Sequence, residues 1–253
     1  MSSNFNTDFT FEYYKCREVK SPAKFGAAAG WDFFIPDDLT IFDFANNIGV
    51  YINEFVEISG IHVNTPDVKS IYILPLEFNI KNKDGKIETW LIVVHEKIDG
   101  ELQTIFNRKP EVHGVAFLNN KPSDAELETL LTIPVESIKI LPGGKVLIPS
   151  GIHVKLPEQV FLVGENKSGI ASKRGLIKAA QVIDQDYQGQ IHINMINPTA
   201  NSVYIKPGEK IIQFVPYFQP IMTKVKEYDS KEDLYKNSES VRGEGGFGSS
   251  GIR

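Results

Sequence analysis

Three observations predict an all-β fold for this chain. Beyond residue 140 the apolar residues gather in short runs rich in β-branched and aromatic side chains: KVLIPSGIHVKL, QVFLVG, QIHINMIN, SVYIKP and KIIQFVPY. Proline, glycine or asparagine punctuates these runs. The 3.6-residue apolar period of an amphipathic helix is nearly absent there. In QIHINMIN, Ile191, Ile193 and Met195 share one face. His192 and Asn194 share the other until Ile196 breaks the alternation. That pattern describes a half-buried strand of a sandwich or barrel. His192 reads as a structural or solvent-facing residue, because no second metal-ligating side chain is placed by sequence.

The middle of the chain is less uniform. SIYILPLEFNIKNKDGKIETWLIVVHEKIDG holds two strand-like runs around KDGK, where Asp-Gly suits the left-handed positions of a hairpin turn. Tyr72, Phe78 and Trp90 in these runs read as core. KPSDAELETLLTIP has the signature of a short helix, with Ser123 as cap and Glu126 three residues on. The final 25 residues or so are polar and rich in Gly and Ser, a composition that stays flexible when alone.

Composition narrows the function. Across 253 residues, 42% hydrophobic and 23% charged, the chain has the make-up of a soluble globular protein. A formal net charge of −5 gives no electrostatic basis for binding a nucleic-acid backbone or an anionic membrane. No apolar run reaches the roughly 20 residues needed to span a bilayer, and MSSNFNTDFTFEYYK lacks the order of a secretory signal, so the cytoplasm is the expected compartment. Cys16 is the single cysteine, which rules out an intrachain disulfide and leaves a buried or bland thiol as its reading.

Three segments carry chemistry. VIDQDYQG places Asp184 and Asp186 on one side of an extended segment, with Tyr187 offset and Gly189 permitting a close backbone path. A structural turn explains one aspartate and the glycine. The full group also suits an aromatic wall for a sugar or base beside a carboxylate that orients or deprotonates water. NKSGIASKRGLI sets Lys167, Ser168 and Lys173 around Gly169, a donor set for an anion. VRGEGGFGSSG puts Arg242 and Phe247 on a glycine-rich tail, fit either for solvent or for closing over a nucleotide.

Taken in order, five segments resemble the five motifs of the trimeric dUTP pyrophosphatase (dUTPase) family. AAAGWDFF holds Asp32 at the family's acidic position, and NKSGIASKRGL has Lys167, Ser168 and Gly169 where Arg-Ser-Gly is usual. AAQVIDQDYQGQI corresponds to the family's β-hairpin, with Asp184 at the water-activating carboxylate and Tyr187 beneath the deoxyribose. KPGEKIIQF supplies Gln213 near the phosphates, and RGEGGFGSSG supplies Arg242, the base-stacking Phe247, Gly248 and Ser249.

The resemblance implies a jelly-roll-like dUTPase barrel with an inserted β-rich subdomain, assembled as a homotrimer with sites at subunit interfaces. The implied reaction is hydrolysis of dUTP to dUMP and pyrophosphate, with Asp184 catalytic. Mg2+ is expected to be held by substrate phosphates and water rather than by protein ligands. Lys178 stands where the family often has Asn, and Gln181 where it often has Gly, both on the approach to the base pocket. Residues 1–44 and 138–241 form the expected split domain, and 242–253 the active-site tail. Residues 45–137 are an insert, long enough for its own small core, which can bind a regulatory protein, cover the site or enlarge the trimer surface. The alternatives are a related nucleotidohydrolase with another base preference, a deaminase of similar fold, and a nucleotide-responsive regulator acting through the insert.

Overall fold

Alternating apolar side chains determine where strands form and which face each one buries. In the computed structural model, residues 10–45, 68–97, 102–108, 125, 132–179, 182–219 and 226–237 are described. In chain order the strands are β1 (Glu12–Lys15), β2 (Trp31–Phe34), β3 (Val68–Lys81), β4 (Ile87–Lys97), β5 (Leu102–Arg108), β6 (Val135–Ile140) and β7 (Lys145–Pro149). They continue with β8 (Ile152–Lys155), β9 (Val160–Asn166), β10 (Ile177–Lys178), β11 (Val182–Ile183), β12 (His192–Ile196), β13 (Val203–Ile205) and β14 (Lys210–Phe218). The helices are short: α1 (Phe42–Ala45), α2 (Ser168–Arg174) and α3 (Lys231–Tyr235).

The fold is all-β, but the expected closed barrel is not formed. Among the described residues the strands make four open sheets, ordered β1-β8, β10-β12-β7, β11-β9-β14-β2 and β13-β6-β3-β4-β5. Closure needs the last strand to bond back to the first in a staggered register. Here β10 and β11, at the ends of two sheets, have two residues each, too few to carry such a ladder.

KDGK turns the chain between β3 and β4. Asn82 Oδ1 accepts from the amides of Asp84 and Lys86 at 3.0 and 2.9 Å, and Gly85 takes φ 78°. These strands do not form a sheet apart. β3 pairs with β6, and β6 with β13, so the sheet runs from the 68–108 segment into the C-terminal part of the chain. Phe78 and Trp90 are buried in the same cluster as Phe33, Ile148 and Phe214. The side chain of Tyr72, Ser123 and Glu126 lie outside the described residues. In β12, Ile193 and Met195 are fully buried, as is Ile191 just before it, while His192 is half-buried.

Two compact units divide the chain. Met1–Gln219 holds every strand described; in Pro220–Arg253, α3 is capped by Ser230, whose hydroxyl accepts from Asp233 N at 3.1 Å. Among the described residues no helix is long and apolar enough to cross a membrane.

Candidate functional site

The pleat of two paired strands builds the first half of the site. β2 runs antiparallel to β14, with Asp32 opposite Gln213 and Phe33 opposite Ile212. Phe33 therefore faces the core, where it meets the Phe214 ring edge-on at 4.7 Å, and Asp32 turns to the other face. A Cβ on Gly30 would lie 2.7 Å from the carbonyl oxygen of Phe214, so only glycine allows the chain to enter β2 this close to β14. A bulge between Lys210 and Ile212 lets Ile211 and Ile212 both be buried and brings Lys210 round to the face of Asp32.

Asp32 is 9% exposed and holds two ammonium groups. Lys167 bonds Oδ1, and Lys210 Nζ lies 3.0 Å from Oδ2. Burial alone would raise the Asp32 pKa, but the bonds from Lys167 and Lys210 outweigh it and hold the carboxyl below its usual range. Gln213 Nε2 donates to the Asn166 carbonyl at 3.4 Å.

Lys167 is also the N-cap of α2, so Ser168 and Gly169 open the helix, where the first amides have no intrahelical partner. Both are exposed, and a Cβ on Gly169 would meet nothing within 4 Å. The far end of α2 is pinned by Arg174, which bonds both Glu209 oxygens at 2.6 and 3.0 Å; this pairing raises the Arg174 pKa against the opposing effect of burial. Sequence reasoning singled out neither Lys210 nor the Arg174–Glu209 pair. The only signal was their presence inside the second and fourth motifs.

The second half is the turn after β11. Asp184, Asp186 and Tyr187 are exposed, and the Asp184 carbonyl accepts from Tyr187 N at 3.2 Å. Tyr187 folds back over Gly189, where a Cβ would sit 2.4 Å from its hydroxyl, and donates to the Gln190 carbonyl at 2.9 Å. His192 Nδ1 lies 3.0 Å from the same carbonyl; burial lowers the His192 pKa, partly opposed by that bond. His153 Nδ1 lies 3.0 Å from the Gln188 carbonyl. Cys16 is exposed rather than buried, and its sulfur is 3.1 Å from Gln190 Nε2. The expected hairpin of the third motif takes another form: β10 pairs with β12 and β11 with β9, because each short strand finds a longer partner in a different sheet.

The two halves stand at opposite ends of β9. Ile183 pairs with Leu162, so Asp184 leaves β11 toward the Val160 end of β9, whereas Lys167 follows the other end. At about 3.4 Å per residue, Asp184 and Lys167 start roughly 17 to 20 Å apart. Among the described residues no group of three or more His, Cys, Asp or Glu side chains is placed to hold a metal ion. Gln181, Arg242, Phe247, Gly248 and Ser249 lie outside the described residues.

Comparison with known proteins adds the following. The family model described as dUTPase matches residues 121–251. Deoxyuridine 5'-triphosphate nucleotidohydrolase of Chlamydia trachomatis serovar L2 is 35% identical over 118 residues, 46% of this chain and 77% of that protein. The protein of the same description from Enterobacter sp. is 38% identical over 122 residues, 46% of this chain and 74% of its own. Among solved structures, the Staphylococcus bacteriophage 80alpha dUTPase with dUPNHPP is similar at 28% identity and a TM-score of 0.37, over 46% of this chain and 82% of that one.

Proposed function

This chain belongs to the dUTPase family, and from that membership we propose that it hydrolyses dUTP to dUMP and pyrophosphate. The observation that carries the reading is the buried Asp32 carboxylate gripping Lys167 and Lys210 beside the exposed first turn of α2. A fixed carboxylate holds two flexible ammonium groups next to free backbone amides, a preorganised donor set for phosphate oxygens. Lys167, Ser168, Gly169 and Gln213 are assigned to the phosphates, with Asp32 as their anchor.

Asp184 is assigned as the general base. Its carboxylate takes a proton from water as the water oxygen bonds to the α-phosphorus. The bond from that phosphorus to the bridging oxygen breaks, and pyrophosphate departs. Tyr187 packs against the deoxyribose. Arg242 is assigned to offsetting phosphate charge, Phe247 to stacking on the base, and Gly248 and Ser249 to substrate binding.

Magnesium use follows from the family. Both Asp32 oxygens are already bonded to ammonium groups, which fits a layer behind the phosphates better than direct ligation. Phosphate oxygens and water are the hard donors magnesium prefers. When bound, the ion neutralises charge on the phosphates.

Asp184 and Lys167 leave opposite ends of β9, roughly 17 to 20 Å apart along the strand. A homotrimer, with the Asp184 turn of one subunit facing the Asp32 cluster of another, reconciles that distance with one reaction. A second reading, a related pyrophosphatase of other base preference, is favoured by Lys178, a cation on the base approach held at 2.7 Å by Glu165. Incubation with magnesium and each deoxynucleoside triphosphate in turn, measuring pyrophosphate and the nucleoside product, tests both. Selective conversion of dUTP supports the first, and selective turnover of another nucleotide supports the second.

A further inference from the structure

The segment that enters the third motif is held at both ends by one strand. At its far end β11 lies in an ordinary ladder with β9, Val182 opposite Val163 and Ile183 opposite Leu162. At its near end β10 belongs to another sheet, paired among the described residues with β12, and is joined to β9 by side chains. Asn166 Oδ1 accepts from the Lys178 backbone amide at 2.7 Å, and Glu165 Oε2 accepts from Lys178 Nζ at 2.7 Å. Two adjacent residues of β9 thus grip one residue of β10 by its backbone and by its side chain. The Asn166 carbonyl meanwhile accepts from Gln213, and Lys167 follows directly.

This clasp does a job that a ladder does elsewhere. A β-ladder spreads its hold over several amides, so one substitution barely moves it. Here two side-chain acceptors of β9 hold β10, and the strand β10 has two residues. Side-chain truncation at 165 or 166 therefore loosens the entry strand from β9 but leaves its pairing with β12, and β11, Asp184 and the Asn166 carbonyl, in place.

We propose that Glu165 and Asn166 are positioning residues for the nucleobase, fixing Lys178, which stands on the approach to the base pocket, and the rest of the entry strand against β9. The inference rests on the dUTPase reading above. It assigns the clasp to affinity for the base end of the substrate, separate from the phosphate donors and from Asp184.

The test uses the full-length protein with magnesium. Asn166→Ala is expected to raise KM for dUTP about three- to tenfold, the scale of one lost hydrogen bond, with kcat within about twofold of wild type. Asn166→Asp, which keeps the acceptor, restores KM. Glu165→Gln raises KM about two- to threefold, since it retains an acceptor and loses the charge. Inhibition by inorganic tripolyphosphate stays at the wild-type level in all three, a result that a general loss of structure would not give. An active wild type with unchanged KM in both Asn166→Ala and Glu165→Gln overturns the inference alone. So does a loss of tripolyphosphate inhibition that matches the rise in KM. A wild type inert toward dUTP overturns the functional reading, and this inference with it.

Discussion

Replacing Asp32 by Asn tests the cluster on which the phosphate side is built. The amide keeps the shape and removes the charge that holds two ammonium groups. The Lys167 and Asp32 side chains are 22% and 13% exposed, so this partly buried, charge-assisted contact is worth about 1.5 to 3 kcal/mol. Lys210 is 54% exposed, and screening leaves its contact a few tenths of a kcal/mol at most. Both freed lysines can turn to water, which avoids the full cost of a stranded buried charge. The net loss at pH 7 is about 2 kcal/mol, or roughly 5 °C in Tm for a chain of this size. Because the pairing lowers the Asp32 pKa below 3.8, its contribution is complete above that value and is lost as pH falls through the folded-state value. Denaturant unfolding of wild type and Asp32→Asn from pH 7 to pH 2.5 is the assay. A gap that is present at neutral pH and closes in acid is expected. Equal stability at pH 7, or a gap that persists undiminished in acid, refutes the reasoning.

Three further outcomes follow from named contacts. Gly169→Ala meets open space and gains up to about 1 kcal/mol of helix propensity, yet turnover of dUTP is expected to fall about a hundredfold if phosphate oxygens approach that backbone; calorimetry beside kinetics checks both. In Gly189→Ala the added Cβ displaces the Tyr187 hydroxyl from its bond to Gln190, so KM for dUTP rises while the melting temperature shifts by only a few degrees. Because burial lowers the His192 pKa, its contribution is intact above 6.5 and is lost as pH falls through the folded-state value; His192→Gln is expected to flatten that part of the stability profile, measured by denaturant midpoints.

Much of the fold could be read locally. The alternation of Ile191, Ile193 and Met195 and the Asp-Gly turn at 84–85 depend on neighbours in sequence, and both appear as expected. What escaped depends on distant partners. No periodicity reveals that β3 pairs with β6 and β6 with β13. Nor does local pattern say whether sheet edges meet; it left sandwich and barrel open, and the barrel that the resemblance implied stands as open sheets. The site followed the same rule. Asp32, Lys167 and Gln213 were recognisable as residue types in motifs, and β2, β9 and β14 bring them together. Lys210 joins them only through a bulge, and the distance between Asp184 and Lys167 is set by the register of β11 on β9.

That distance gives the most direct test of a site shared between chains. Asp184→Asn and Lys167→Ala each damage one half, and each variant alone is expected to turn over dUTP poorly. When equal amounts of the two are unfolded together and refolded at random into trimers, about one site in four overall receives an intact carboxylate from one chain and an intact lysine from another, so about a quarter of wild-type activity returns. Mixed trimers identified by native mass spectrometry that show no more activity than their parents would contradict the account.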